Sequence, residues 1–322
     1  MNITFYSNVS TIEKINSNLP WLKEHNVRCF RLEDGESLVN ESRDTDILVV
    51  DAMGNVSKDM IDKLPALKLI QSEGVGYQGI DVNHAKSLGI PVCNNKRVND
   101  TAVAEGALLL MLSCLRNVIN GNQGVYDGRQ MEIKKASFGV VRELGQCTVG
   151  LIGLGDIGKM IAKYCKALGA KVVYFNRTRY PETERELDIK YLDLEELLKV
   201  SDIVSLHLAV TPETVNFADK AFFCKMKKDA FLINTARGDL VDNQALLDAL
   251  LNGEIAGAGL DVIYPEPVEK DNILLDERVK DKLVLTPHIA GITNLTVKKI
   301  YANIGRNIEN IINGSKPENR VN

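Results

Sequence analysis

The stretch Thr148-Val149-Gly150-Leu151-Ile152-Gly153-Leu154-Gly155-Asp156-Ile157-Gly158 decides how this chain is read. Residues 148–152 form an uncharged, strand-length run, and apolar residues then recur at helical spacing through IGKMIAKYCKALG. The glycines between them satisfy G-x-G-x-x-G with a strand before and a helix after. In that setting two glycines let the backbone turn and approach a pyrophosphate, and the third lets helix and strand pack closely. The pattern predicts a dinucleotide site at Gly153, Gly155, Asp156, Ile157 and Gly158. The competing reading is a βα turn whose glycines serve packing alone.

Downstream, the next strand-like run is KVVYF at 171–175, followed by Asn176-Arg177-Thr178. An NAD-preferring site places a carboxylate here, about 20 residues after the glycines, to accept from both ribose hydroxyls. Asn176 removes the repulsion that a carboxylate would exert on a 2′-phosphate. Arg177 adds a forked cation and Thr178 a hydroxyl, so NADP is the expected cofactor, with NAD as the alternative if Arg177 is only a solvated loop residue. Asp156 adds a negative charge inside the glycine loop, where it suits the helix N-terminus.

Further strand-length runs lie at 203–207, 230–234, 257–262 and 283–286, which with the first two make six strands separated by helical patterns. Upstream, runs at 3–6, 27–31, 47–50 and 68–71 alternate with helices in the same way. These runs are continuous rather than alternating, as expected of parallel strands covered on both faces. The mostly apolar segment 101–118 reads as one long helix suited to packing between domains, and 293–313 as a last helix ended by Gly314 and Pro317. The expected fold is α/β: residues 100–289 form a Rossmann-like doubly wound sheet, inserted in a domain made of residues 1–99 and 290–322.

At 322 residues the chain exceeds one typical core of about 100–200 residues. Its 45% hydrophobic and 25% charged composition argues against disorder. Lys plus Arg number 39 against 43 Asp plus Glu, giving net charge −4 and no footprint for nucleic acid or an anionic membrane. No apolar run reaches the roughly 18–20 residues of a membrane span, and MNITFYSNVS lacks the marks of a signal peptide. Cys29, Cys93, Cys114, Cys147, Cys165 and Cys224 form no C-x-x-C pair, and the four histidines share no ligand spacing. A cytoplasmic protein with free thiols and no metal site is expected.

Three ionisable residues follow predicted strands on the carboxyl edge, where open α/β sheets bind ligands: Arg237 after FLINTA, Glu266 in DVIYPEP, and His288 in LVLTPHIAG. Hydride transfer to a 2-oxo acid needs a cation to hold the carboxylate and polarise the carbonyl, an acid to protonate the nascent alkoxide, and a group that keeps that acid charged. Arg237, His288 and Glu266 supply these in turn, since a carboxylate beside an imidazole stabilises its cation. Taken singly, each has a bland explanation: a capping arginine, a solvated loop glutamate, a core histidine. His84 and His207 have no such partners in the sequence, and the bland explanation is kept for them.

These residues resemble the NAD(P)-dependent D-isomer-specific 2-hydroxyacid dehydrogenases across nearly the whole chain, through SEGVGYQGIDV, TAVAEGALLLML, GLIGLGDIG, SLHLAVTPET, INTARGDLVD, GLDVIYPEP and LTPHIAG. The resemblance implies a flavodoxin-like substrate domain, an inserted cofactor domain, an active-site cleft and a homodimer. It implies that the backbone at Val75 and Gly76 meets the substrate carboxylate together with Arg237. It also implies that Thr235, Ala236, Asp261 and the turn from His288 to Gly291 line the nicotinamide half of the cofactor site, with Asp261 accepting from the carboxamide. The chain departs from the family at Asn176, at Asp156 where Arg is frequent, at Ala209 for a usual proline, at Gly106 where His is common, and through 122–146. The expected substrate is a small 2-oxo or 2-hydroxy acid, with glyoxylate or hydroxypyruvate first. D-lactate, phosphoglycerate and a non-enzymatic corepressor-like sensor remain the alternatives.

Overall fold

A computed structural model describes residues 1–322, which form two compact units: Met1–Asn99 with Ile292–Asn322, and Asp100–Gly291. The first unit carries five parallel strands: β1 (Asn2–Tyr6), β2 (Asn26–Phe30), β3 (Ile47–Val50), β4 (Leu69–Ser72) and β5 (Val92–Cys93). Their order, β2-β1-β3-β4-β5, is that of a flavodoxin-like sheet, with its switch point between β1 and β3. One side of this sheet buries Ile3, Phe5, Ile47, Val49 and Leu69 against Ile15, Leu22 and the last helix, Asn294–Ile312. That helix begins where Thr293 accepts the Thr296 N–H at 3.1 Å, and it turns Tyr301, Ile304 and Ile308 inward.

The second unit carries seven parallel strands: β6 (Thr148–Ile152), β7 (Lys171–Phe175), β8 (Lys190–Tyr191), β9 (Ile203–Leu206), β10 (Phe231–Asn234), β11 (Gly257–Leu260) and β12 (Leu283–Leu285). Their order is β12-β11-β10-β9-β6-β7-β8, a doubly wound sheet whose direction reverses between β6 and β9. The register sets Ile152, Leu206, Asn234, Leu260 and Leu285 in one row, so the loops after these strands leave from one edge.

The Rossmann-like and flavodoxin-like architecture expected from the sequence is the one observed. The differences are local. β5 and β8 span two residues each, too short to show as apolar runs, and β8 makes the second sheet seven-stranded rather than six. The helix expected over 101–118 is Asp100–Leu115, and the chain then breaks at Asn117, whose φ of 50° is left-handed, before resuming over Val118–Tyr126. Within its own unit the first of these helices packs Ala107, Leu110, Met111 and Cys114 with Ile161, Ala162 and Cys165. Gly259 of β11 permits this approach, since a Cβ there would lie 2.9 Å from the Leu110 Cβ. No single helix is long and apolar enough to cross a membrane, and all six cysteines are unpaired.

Candidate active site

The three glycines after β6 divide the labour that the motif implies. Gly153 adopts φ +99°, and a Cβ there would lie 2.5 Å from the His207 carbonyl oxygen, so the turn itself requires glycine. A Cβ on Gly158 would sit 2.4 Å from the Gly153 oxygen, which brings the helix Asp156–Ala167 hard against the turn. A Cβ on Gly155 would meet nothing within 4 Å, leaving the middle glycine's backbone open to a ligand. Gly155 is the cap residue, and Asp156 opens the helix in the first turn, where the dipole favours a carboxylate. Ile157 packs its side chain on the core below.

Beyond β7, Asn176 braces the glycine loop: its Oδ1 accepts the Leu154 N–H at 3.5 Å and its Nδ2 donates to the Thr178 carbonyl at 3.0 Å. Arg179 is committed, holding Glu184 through two 2.8 Å bonds. Arg177 and Thr178 are exposed. Glu213 is held below the usual carboxylate range chiefly by the Thr211 hydroxyl and its own backbone N–H, with the Arg177 charge adding to the effect. Two buried polar atoms of the same sheet edge, His207 Nε2 and Thr235 Oγ1, have no hydrogen-bond partner. The open face at Gly155 and these two orphaned atoms fit a polar ligand laid along the edge, as a dinucleotide would be. Burial pushes the His207 imidazole down to about 4, so it is neutral at physiological pH. Of the two histidines set aside in the sequence, His84 pairs with Asp62 at 2.6 Å, whereas His207 lacks any partner at Nε2.

The residues with reactive side chains follow β10, β11 and β12, three neighbours in the sheet. His288 Nδ1 lies 2.8 Å from Glu266 Oε1, which leaves Nε2 as the nitrogen open to chemistry. Arg237 makes one hydrogen bond, from Nη1 to the Ala236 carbonyl at 2.7 Å, and no ion pair, so its charge has no counter-ion within the chain. Gly238 beside it would place a Cβ 2.4 Å from the Tyr264 nitrogen, so the Arg237 loop lies against the loop that carries Glu266. The buried Asn234 at the end of β10 fixes the first of these loops, accepting from the Ala236 N–H at 3.0 Å and donating to the Arg237 carbonyl at 2.8 Å.

Asp261 organises the His288 turn. Its buried carboxylate accepts from Thr286 Oγ1 at 2.5 Å and from the Ile289 and Ala290 N–H groups at 2.9 Å, while its own carbonyl takes the His288 N–H at 2.8 Å. Three of about four acceptor positions are thus consumed inside the protein, leaving room on Oδ2 for one more donor. These bonds hold His288 at φ 55°, a left-handed conformation that costs an L-residue about 1–2 kcal/mol. Gly106 lies against this turn: a Cβ there would be 2.6 Å from the Ala290 Cβ. The bracing roles of Asn234 and Asp261 were not apparent in the sequence, where neither stands in a pattern that distinguishes a brace from a ligand.

In the first unit, the turn after β4 is tied down through its carbonyls. Asn95 donates to the Ser72 and Glu73 oxygens and, from its backbone, to Gly74; Asn94 donates to Val75 at 2.8 Å; Ser72 Oγ donates to Gly76 at 2.6 Å. The N–H groups of Val75 and Gly76 make no bond within the protein. Two consecutive N–H groups without a protein partner, in a turn held through its carbonyls, are an arrangement that can receive an anion.

Fold, glycine loop and reactive side chains together define a nucleotide-dependent oxidoreductase. Comparison with known proteins gives the family. The description of the D-isomer specific 2-hydroxyacid dehydrogenase NAD binding domain matches residues 108–290. Glyoxylate reductase of Thermococcus litoralis is 37% identical over 291 residues, covering 88% of this chain and 86% of the relative. Among solved structures, a D-lactate dehydrogenase from Aquifex aeolicus complexed with NAD and lactic acid superposes with TM-score 0.84 at 28% identity, over 98% of this chain and 96% of that one. An acyclic imino acid reductase in complex with NADPH and D-Arg gives TM-score 0.84 at 30% identity over the full length of both chains. The chain belongs to the D-isomer specific 2-hydroxyacid dehydrogenase family.

Proposed function

We propose that this enzyme reduces a small 2-oxo acid, glyoxylate or hydroxypyruvate foremost, to the D-2-hydroxy acid, with NADPH preferred over NADH. The observation that carries the reading is the 2.8 Å His288–Glu266 pair on strands adjacent to an Arg237 that lacks a counter-ion. Arg237 grips the substrate carboxylate with its fork and polarises the carbonyl, and the Val75 and Gly76 N–H groups take a carboxylate oxygen. Glu266 holds the Nδ1 proton, so His288 delivers its Nε2 proton to the oxygen that becomes the hydroxyl. Gly153, Gly155, Asp156, Ile157 and Gly158 hold the pyrophosphate of the cofactor; Asn176, Arg177 and Thr178 hold its adenosine ribose; Thr235, Ala236, Asp261 and Gly291 line its nicotinamide end. When bound, the nicotinamide supplies the hydride. The Ala236 N–H and carbonyl are already engaged, which leaves Thr235 Oγ1 as the side-chain atom offered there.

Steady-state kinetics on a panel of 2-oxo acids with both cofactors tests this. The expected result is turnover of glyoxylate and hydroxypyruvate with the higher kcat/KM for NADPH, and a preference flattened or reversed in Asn176→Asp with Arg177→Ala. No reduction with either cofactor would overturn the activity. A wild-type preference for NADH would overturn the reading of the Asn176 loop alone.

We also propose that the enzyme is a homodimer. Exposed Val118, Ile119, Val125, Tyr126, Met131, Phe138 and Val140 cluster on the helices Val118–Tyr126 and Gln130–Ser137 and the segment after them, and Phe138 is 91% exposed. Apolar side chains at that density on one segment mark an interface. Light scattering on the full chain is expected to give twice the 35.6 kDa protomer mass; a monomer at micromolar concentration would sink the proposal.

A further inference from the structure

Glu73 leaves β4 directly before the Gly74–Gly76 turn, yet its side chain is buried, where an ionisable group needs partners. Ser7 Oγ donates to Oε2 at 2.6 Å, and Ser10 Oγ donates to Oε1. One proton direction around this carboxyl is fixed, that of Ser7. Ser7 Oγ already accepts the Val9 and Ser10 N–H groups, both at 3.1 Å, so its single proton goes to Glu73. Ser10 Oγ lies 2.7 Å from the Tyr301 hydroxyl and can accept its proton. The loop after β1, the exit of β4 and the last helix thus converge on one carboxyl, carried by the residue that precedes Val75 and Gly76 by two and three positions in the chain. The reaction steps above make no use of it.

We propose that Glu73 sets how tightly the turn holds the substrate carboxylate: neutral, it leaves the turn its full attraction for an anion; ionised, it opposes the incoming carboxylate. The inference rests on the reading of Val75 and Gly76 as a carboxylate-binding turn. Burial pushes the Glu73 carboxyl up from the ordinary range, opposed by the hydrogen bonds from Ser10 and Ser7. The charged and titratable groups facing it are Asp51 after β3, which acts with burial, Lys14 on the helix Ile12–Asn18, which acts against it, Cys29 of β2, and Tyr301. The sign follows. Stability from a carboxyl whose folded value is raised is complete below the unfolded value and declines as pH rises through the folded one.

Glu73→Gln is the test, because an amide fits the same partners: its oxygen accepts from Ser7, and its NH2 donates to Ser10, which then donates to Tyr301. In the wild type, the KM for glyoxylate is expected to climb about tenfold as pH rises through the titration of Glu73, above the ordinary carboxylate range, the factor of one pK unit of coupling. In the variant KM stays near its acidic value, while kcat and the KM for NADPH match the wild type within about twofold. The two proteins differ at this one side chain, so the difference between their profiles isolates Glu73. A thermal-unfolding series over the same pH range is expected to show a decline in wild type that the variant lacks. If the variant folds poorly, Ser10→Ala serves instead: removing one donor to the carboxylate favours its neutral form and moves the climb in KM to higher pH. A variant KM that tracks the wild type at every pH overturns the inference while leaving the activity standing. A wild type that reduces no 2-oxo acid strikes the underlying reading instead.

Discussion

Replacing His288 by Ala is expected to lower kcat for glyoxylate reduction by at least the 10²-fold typical of lost general acid catalysis, with the KM for NADPH little changed. The expectation comes from one short contact and one open atom: Glu266 engages Nδ1 at 2.8 Å, so Nε2 carries the transferable proton. The backbone needs a control, because His288 sits at φ 55°, where alanine is strained. Asn tolerates that conformation, so His288→Asn keeps the turn and removes only the acid. Both variants are expected to lose turnover alike. If the Asn variant retains near-normal kcat, His288 is not the proton donor. Glu266→Gln keeps a side chain that can still accept from Nδ1 but removes the charge that stabilises the imidazolium. Its expected loss, about tenfold, is smaller than that of either His288 variant.

Arg237→Met is the second large effect, expected to reduce kcat/KM by about 10²- to 10³-fold, with most of the change in KM for the 2-oxo acid. A guanidinium that bonds only the Ala236 carbonyl has its charge and most of its donors available, and methionine keeps much of the length while removing both. Lysine restores the charge without the planar fork, so Arg237→Lys is expected to recover only part of the loss. Added guanidinium chloride at low millimolar concentration is expected to raise the activity of Arg237→Met but not of His288→Asn. A kcat/KM within fivefold of wild type in Arg237→Met would remove this residue from substrate binding.

Much of this was legible in the sequence because the signals were physical and local. The run TVGLI with its three glycines forces a strand, a tight turn and a helix whatever surrounds them, and Arg237, Glu266 and His288 each follow a strand whose apolar run is plain. What escaped notice was carried by geometry that sequence spacing does not encode. β5 and β8 exist because a neighbouring strand offers hydrogen bonds to two residues, not because those residues form a pattern. Asp261 reads in the sequence as a carboxylate with spare capacity for a ligand, and the fold spends most of that capacity on Thr286, Ile289 and Ala290. Losing it would leave the part-buried Ile289 and Ala290 N–H groups without their acceptor and free the turn that holds His288. Glu73 reads as a polar residue in a turn, and only the return of the last helix beside β1 supplies the hydroxyl that helps bury it.

The row Ile152, Leu206, Asn234, Leu260, Leu285 turns the second sheet into a ruler. The glycine loop hangs from its first mark and His288, the proposed acid, from its last, four strand spacings away, or about 19 Å at roughly 4.8 Å each. That span is fixed by backbone hydrogen bonds and is independent of any side chain. The loops that carry Arg237, Glu266 and His288 can therefore change in sequence to suit a different acid without altering the length of cofactor that the sheet measures out.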